Sequence, residues 1–151
     1  LLGLGELYFN LGDLQAARSL MAGAGNLGSA LMKYKNFEKE GIKIVAAFDI
    51  DPSKLNSRLP IPVYALDDLE KFVKENEIKI GIISVPDIAA QLALDIMIRA
   101  GIRGVLNFAP IQLKTSGDCI VSNVNLGLEL ENLIYFVNAL QKAANVRITE
   151  D

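Results

Sequence analysis

A chain of 151 residues, 51% hydrophobic and 22% charged, has the length and composition to bury one sizeable core and is no disordered segment. It has no histidine, no tryptophan and one cysteine, Cys119, so it can assemble no Ser-His-Asp or Cys-His nucleophile, no histidine-built or multi-cysteine metal site and no internal disulfide. Its formal net charge of −3 gives no general attraction to nucleic acid or anionic membrane, and the single thiol fits a reducing cytoplasm.

Residues 1–15 form a poorly defined segment. Leu1, Leu4, Leu7, Phe9, Leu11 and Leu14 are apolar, but Gly3, Gly5 and Gly12 break any helical period. No basic region precedes them, so they do not read as a secretory signal, and a chain beginning with Leu is expected to be a fragment or a processed form. A strand is expected over Ala17–Ala22, although Arg18 and Ser19 suit a buried parallel strand poorly. A glycine-rich turn follows, then a helix over residues 26–39 with Leu27, Leu31, Tyr34 and Phe37 at helical spacing and Gly41 as its stop. Residues 42–49 are a near-continuous apolar strand ending at Asp49, and Asp51-Pro52 opens a turn. Val63-Tyr64 is a short strand, and Asp67 is placed as the N-cap of a helix reaching Asn76.

The next strand spans residues 78–85. Pro86 and Asp87 start a helix whose apolar stripe is Ile88, Leu92, Ile96 and Ala100, ended by Gly101. Pro86, Asp87, Gln91 and Asp95 keep the apolar run 80–98 from being a membrane span. Residues 104–108 form a strand, 110–117 a loop, 119–124 a last strand, and 126 to about 144 a long helix with a frayed tail over 146–151. Strands apolar on both faces, alternating with helices, imply an α/β domain of Rossmann type over residues 16–124, its parallel sheet covered on both sides. Residues 125–151 form a separate C-terminal helix and tail. Leu126, Leu130, Leu133, Val137 and Leu140 make one stripe of that helix, and Leu128, Ile134, Tyr135 and Phe136 widen it beyond one face. A second subunit is the expected cover; a preceding domain is the alternative.

Gly23-Ala24-Gly25-Asn26-Leu27-Gly28 fits G-x-G-x-x-G, and Asp49 stands 21 residues after Gly28 at the end of the next strand. Gly23 permits the tight turn, Gly25 lets backbone approach a pyrophosphate, and Gly28 allows close helix-to-strand packing. The N–H groups near Asn26 and Leu27 face the phosphates, and Asp49 accepts from the adenosine ribose hydroxyls. With Asp51, it puts two carboxylates where a 2′-phosphate would lie, which favours NAD(H) over NADP(H). A role for Asp51 as turn former before Pro52 stands equally open, and Lys54 would blunt the repulsion. Cys119, between strand residues, is expected to be an inert buried thiol.

Several segments together resemble one family: residues 22–28, Tyr34-Lys-Asn-Phe37, Ala47-Phe-Asp-Ile-Asp-Pro52, Ser84-Val-Pro86 with Ala89-Ala-Gln91, residues 100–110, and Ser122-Asn-Val-Asn125. In unbroken order over roughly residues 20–140, they resemble the NAD(H)-binding domain of Rex, the redox-sensing bacterial repressors. The resemblance implies a cytoplasmic homodimer that reads NADH against NAD+ and is not an enzyme. Its C-terminal helix would cross to the partner subunit. An N-terminal winged-helix domain, for which no pattern precedes Gly23, would bind operator DNA and release it on NADH binding. The resemblance further places Val85, Pro86, Asn107, Phe108, Ala109 and Pro110 on the nicotinamide side. Asn107 has the equal alternative of closing its strand by bonding backbone. Tyr34 matches a tyrosine of the redox-sensing network, whose usual partners, an Asp and then an aromatic residue, are here Asn125 and Leu126.

Two other functions compete. One is an NAD-dependent dehydrogenase fragment, which needs an acid/base group and a substrate domain. The other is the CoA-binding Rossmann module of a CoA ligase, whose phosphorylated histidine has no counterpart here.

Overall fold

Strands with largely apolar interiors pair side by side in one six-stranded sheet. The computed structural model describes residues 17–23, 26–51, 53 and 61–149. Strands β1 (Ala17–Ala22), β2 (Ile42–Asp49), β3 (Val63–Ala65), β4 (Ile80–Ile83), β5 (Gly104–Asn107) and β6 (Ile120–Asn123) lie in the order β3-β2-β1-β4-β5-β6, all parallel. This is the order of a doubly wound dinucleotide fold, and the chain changes direction across the sheet between β1 and β4. The segment 1–15, Pro52, Lys54 and the end of the tail lie outside the described residues.

Helices cover the two faces unequally. Helix α1 (Asn26–Met32) and the short α2 (Asn36–Lys39) pack on one face, where Met32 meets Met21, Ile44, Ala47, Val63 and Ile82. Helices α3 (Leu69–Asn76) and α4 (Asp87–Ala100) pack on the other, over Leu20, Ala46, Phe48 and Ile83. Between β1 and β2, Ser19 pairs with Ile44 but Leu20 with Ala46, which leaves Val45 as a bulge. Ile44 and Ala46, two residues apart, therefore serve opposite faces.

The bulge region also accommodates the polar start of β1. Ser19 is buried, and its hydroxyl donates to the Lys43 carbonyl at 3.3 Å. Arg18 stays exposed and donates to the Asn76 carbonyl at 3.3 Å, at the C-terminal end of α3, where a cation is favoured.

Several expected elements need correction. The single helix over 26–39 is two: Tyr34 N–H reaches back only to Leu31 O, so the first helix tightens and ends. The break turns Phe37 back toward the sheet while its ring meets Tyr34 edge-on at 4.8 Å. Asp67 does not cap α3: it lies inside a 3-10 turn, Leu66–Asp68, and the residue that precedes α3, Asp68, makes no side-chain cap bond. The stripe assigned to α4 holds only at its C-terminal end, where Ala100 is buried and Ile96 packs against the core. Ile88 is 92% exposed and Leu92 58%, while Ala90, Ala93, Leu94, Met97 and Ala100 are buried. Small residues let α4 lie close to the sheet, with Met97 over Gly81, where an added Cβ would come within 2.7 Å of its sulfur. Strands β4, β5 and β6 are shorter than expected at their ends.

Helix α5 (Leu126–Thr149) runs past the expected end at 144, through most of the tail expected to fray. None of its residues is buried. It leaves β6 and packs on nothing among the described residues. No described helix is long and apolar enough to cross a membrane.

Candidate functional site

All strands being parallel, their C-terminal ends share one edge of the sheet. Ala22 pairs with Phe48 on one side and Ile83 on the other, and Ile83 pairs with Asn107. The residues that follow these ends are Gly23, Asp49, Ser84 to Pro86, and Phe108 to Pro110. Four of the sequence-selected segments are therefore brought to one edge of the sheet, at the point where strand order reverses, the place where open α/β sheets bind their ligands.

Gly23 takes φ +104°, a conformation that favours glycine. Its N–H donates to Phe48 O at 2.8 Å, so the turn hangs from β2. A Cβ on Gly23 would come within 2.9 Å of the Ser84 backbone. A Cβ on Gly28 would overlap the Gly23 carbonyl oxygen and come within 2.8 Å of Ser84 Oγ. The first turn of α1 thus lies directly against the end of β1. Asn26 begins α1, Leu27 follows it partly exposed, and Gly25 lies outside the described residues.

Asp49 closes β2 half-buried, and its Oδ1 accepts from Asp51 N–H at 2.8 Å. The exposed Asp51 carboxylate accepts in turn from Ser53 N–H at 2.9 Å. Two successive side-chain turns therefore shape the chain leaving β2, and both carboxylates stand at the same edge.

Past the end of β4, Val85 is half-buried and Pro86 exposed at the start of α4. Asn107 is fully buried, and its amide is used completely. The two protons of its Nδ2 go to Asn123 Oδ1 at 2.9 Å and Ile111 O at 3.0 Å, with Ala109 O a longer, shared contact at 3.3 Å, and its Oδ1 accepts from Ala109 N–H at 2.9 Å. The side chain holds the loop Phe108–Ala109–Pro110 in shape and ties it to β6. Gln91 pins the next stretch, exchanging two 2.9 Å bonds with the backbone of Lys114. Asn107→Leu, similar in size but unable to bond, should cost about 3 kcal/mol, because buried backbone groups lose their partners. Chemical denaturation of the two forms measures this.

The residues of the expected redox network are not gathered within one chain. Tyr34 lines a groove of about 900 Å³ with Arg18, Ile42 and Lys43, at the strand starts. Its hydroxyl accepts from Asn36 Nδ2 at 3.2 Å. Asn125 and Leu126 follow the end of β6, on the opposite edge. Asn125 Oδ1 accepts from Leu128 N–H at 3.0 Å, which makes Asn125 the N-cap of α5, and Leu126 is exposed.

Ser84 and Asn123 carry no expected role from sequence, although both stand in quoted segments. The signal was present in type: a hydroxyl and an amide at the ends of otherwise apolar strands, beside backbone that leaves the ladder. Cys119 is buried, and burial pushes its thiol up, with Arg103 opposing in part, so it is no reactive nucleophile. Among the described residues no cluster of three His, Cys, Asp or Glu side chains could hold a metal ion.

A family model described as a CoA binding domain matches residues 15–111. The chain is 42% identical over 120 residues to the redox-sensing transcriptional repressor Rex of Syntrophobacter fumaroxidans, covering 78% of the chain and 57% of that protein. It is 47% identical over 117 residues to the Rex repressor of Desulforamulus reducens, covering 77% and 56%. The chain therefore spans a little over half the length of these curated relatives. Among solved structures it superposes on RSP, a Rex-family repressor, with a TM-score of 0.83 at 34% identity, over 93% of this chain and 68% of that one. RSP has also been solved with β-NADH and with β-NAD+ and operator DNA, with TM-scores of 0.83 and 0.81 to this chain.

Proposed function

Because the chain belongs to the Rex family of redox-sensing transcriptional repressors, and to the CoA-binding-domain family, we propose that it is the NADH-sensing and dimerising part of such a repressor. The observation that carries the proposal is the gathering of these segments at the strand ends where strand order reverses. There a glycine turn too tight for any Cβ at Gly28 faces two carboxylates at the end of β2.

The residues fit a dinucleotide. Gly23, Gly25 and Gly28 allow backbone and the start of α1, at Asn26 and Leu27, to approach a pyrophosphate. Asp49 accepts from the adenosine ribose, and Asp51 adds charge against a 2′-phosphate. Val85, Pro86, Phe108, Ala109 and Pro110 form the walls on the nicotinamide side, with Asn107 holding the second wall in place. When bound, the nicotinamide supplies the redox difference, a cationic ring in NAD+ and a neutral one in NADH.

Sensing requires that NADH favour one dimer arrangement over another, since equal affinity for both would move nothing. A symmetric dimer built on α5, with Tyr34, Asn125 and Leu126 at the contact between subunits, supplies that second arrangement. Asn125 has no charge to offer Tyr34, and Leu126 is a smaller plug than an aromatic ring. Operator DNA would be held by a winged-helix domain preceding this chain, in the cytoplasm. This reading makes the domain a sensor and not an enzyme.

The match to the CoA-binding model supports a second reading, in which this edge takes CoA. Against it, the 3′-phosphate of CoA would meet Asp49 and Asp51 much as a 2′-phosphate would. Calorimetric titration of the chain with NADH, NAD+, NADPH and CoA separates the two. NADH should bind more tightly than NAD+, with NADPH and CoA much weaker. CoA binding more tightly than NADH would replace the first reading by the second. Asp49→Ala should weaken NADH by about 1–3 kcal/mol, the scale of charge-assisted hydrogen bonds, and narrow the gap to NADPH.

A further inference from the structure

We infer that Ser84 is a positioning residue for the dinucleotide: its hydroxyl locks the Gly23 peptide and thereby sets the glycine turn that meets the pyrophosphate. The inference rests on the reading of this edge of the sheet as an NADH site.

Ser84 is the first residue after β4. Its N–H donates to Ala22 O at 2.9 Å, the last rung of the β1–β4 ladder. Beyond that rung the ladder stops, and the carbonyl of Gly23 has no strand partner. Ser84 Oγ stands 3.1 Å from Gly23 O and 3.4 Å from Ala22 O. A hydroxyl has one proton, and Ala22 O already accepts from the Ser84 N–H, so the nearer Gly23 O is its proper acceptor. The Gly23 residue is then held from two sides, its N–H by Phe48 O in β2 and its C=O by Ser84, just past the end of β4.

That restraint matters because of the residue it acts on. Glycine at φ +104° has wide alternatives open to it, and a peptide that turns there redirects the chain leading into α1. The same oxygen faces Gly28: Ser84 Oγ would lie 2.8 Å from a Cβ at that position. Ser84 therefore sits where the end of β1, the glycine turn and the first turn of α1 meet, and one hydrogen bond selects one of the conformations glycine allows. The consequence is selective. The turn meets the pyrophosphate, whereas the ribose is assigned to Asp49 on another strand. Loss of the hydroxyl should weaken ligands that carry a pyrophosphate and leave adenosine alone.

The test is a pair of titrations on wild type and Ser84→Ala, NADH and ADP-ribose by calorimetry and adenosine by NMR shift changes, with melting curves for both proteins. Ser84→Ala should weaken NADH and ADP-ribose about five-fold, the scale of one neutral hydrogen bond, with adenosine unchanged within about two-fold. NADH affinity unchanged in Ser84→Ala overturns the inference. So does a parallel loss of adenosine, which would mark Ser84 as a general support of the fold. Should Ser84→Ala not fold, Ser84→Cys, whose thiol is a far weaker donor than the hydroxyl, carries the same comparison, with NADH and ADP-ribose weakened and adenosine unchanged, and unchanged NADH affinity overturning the inference. Failure of the wild-type chain to bind NADH is a different result, and overturns the reading on which the inference stands.

Discussion

Gly28→Ala is expected to abolish useful NADH binding, weakening it by about 100-fold or more, in a protein that still folds. The added Cβ would overlap the Gly23 carbonyl oxygen and come within 3.0 Å of the Gly23 carbonyl carbon. These are backbone atoms, fixed to β2 through the Gly23 N–H and to β4 through Ser84, so they cannot swing aside as the end of a flexible side chain would. The helix must move instead. Displacing α1 from the end of β1 costs about 1–3 kcal/mol of stability, the range for overpacking. It also carries the first N–H groups of α1 away from the phosphates, and an error of about 1 Å there is costly. Gly41→Ala is the control. Gly41 has φ +78°, but a Cβ there meets nothing within 4 Å. That substitution should cost about 1–2 kcal/mol of backbone strain and leave NADH affinity unchanged. Calorimetry and denaturation on the two variants separate close packing at the site from glycine strain in general. NADH affinity within three-fold of wild type in Gly28→Ala would mean that α1 does not contribute to the site.

The contrast between these glycines shows what sequence conveys here and what it does not. Strand β2 was legible with its bounds because it is apolar on both faces and ends at an aspartate, and β1 only from the glycine-rich turn that follows it, against the polar Arg18 and Ser19. The positions of Gly23, Gly28, Asp49 and the two distal loops at one edge follow from strand order alone. The face of α4 was legible only at its C-terminal end. Ile88 and Leu92 look like a core stripe, but the buried face is Ala90, Ala93, Leu94, Met97 and Ala100, with the Met97 sulfur seated over Gly81 where a Cβ would displace it. That seat lies on another strand and does not show in the periodicity of the helix itself. The break at Lys33–Lys35 was hidden for a similar reason: Phe37 packs to the sheet by leaving the helix, and spacing counts it as helical either way. Asn107 could not be assigned from sequence between wall and strand closure. Its buried amide has every bond taken by Ala109, Ile111 and Asn123, which makes it a holder of the wall.

Helix α5 carries the other large expected effect: Leu133→Glu with Leu140→Glu should turn a dimer into a monomer while leaving the fold of the monomer intact. The helix has 24 residues, and none is buried. Leu126, Leu130, Leu133, Val137 and Leu140 are all at least partly exposed, at alternating spacings of four and three, the pattern of a helix seam. Ile134, Tyr135 and Phe136 extend the apolar surface to a second side. An exposed apolar surface of this extent is the mark of an association site, and in the proposed dimer a second copy of the chain would cover it and close by symmetry. Two carboxylates placed one above the other on the seam would each forfeit about 2 kcal/mol of leucine burial and add the cost of desolvating a charge. Together they should weaken association by about 1,000-fold or more, read by sedimentation at micromolar concentration. The melting of the monomer should change little, because neither leucine is buried among the described residues. The variant should also retain part of its NADH affinity, since Gly23, Gly28 and Asp49 lie in the sheet domain and not on α5. What it should lose is the difference between NADH and NAD+. If the nicotinamide ring is read at the contact between subunits, through Tyr34, Asn125 and Leu126, a monomer has no second arrangement to favour. A wild-type chain monomeric at micromolar concentration, or a double variant still dimeric, would place the dimer contact elsewhere. A monomeric variant that still discriminates NADH from NAD+ would place redox sensing within the walls at Val85–Pro86 and Phe108–Pro110 of a single chain.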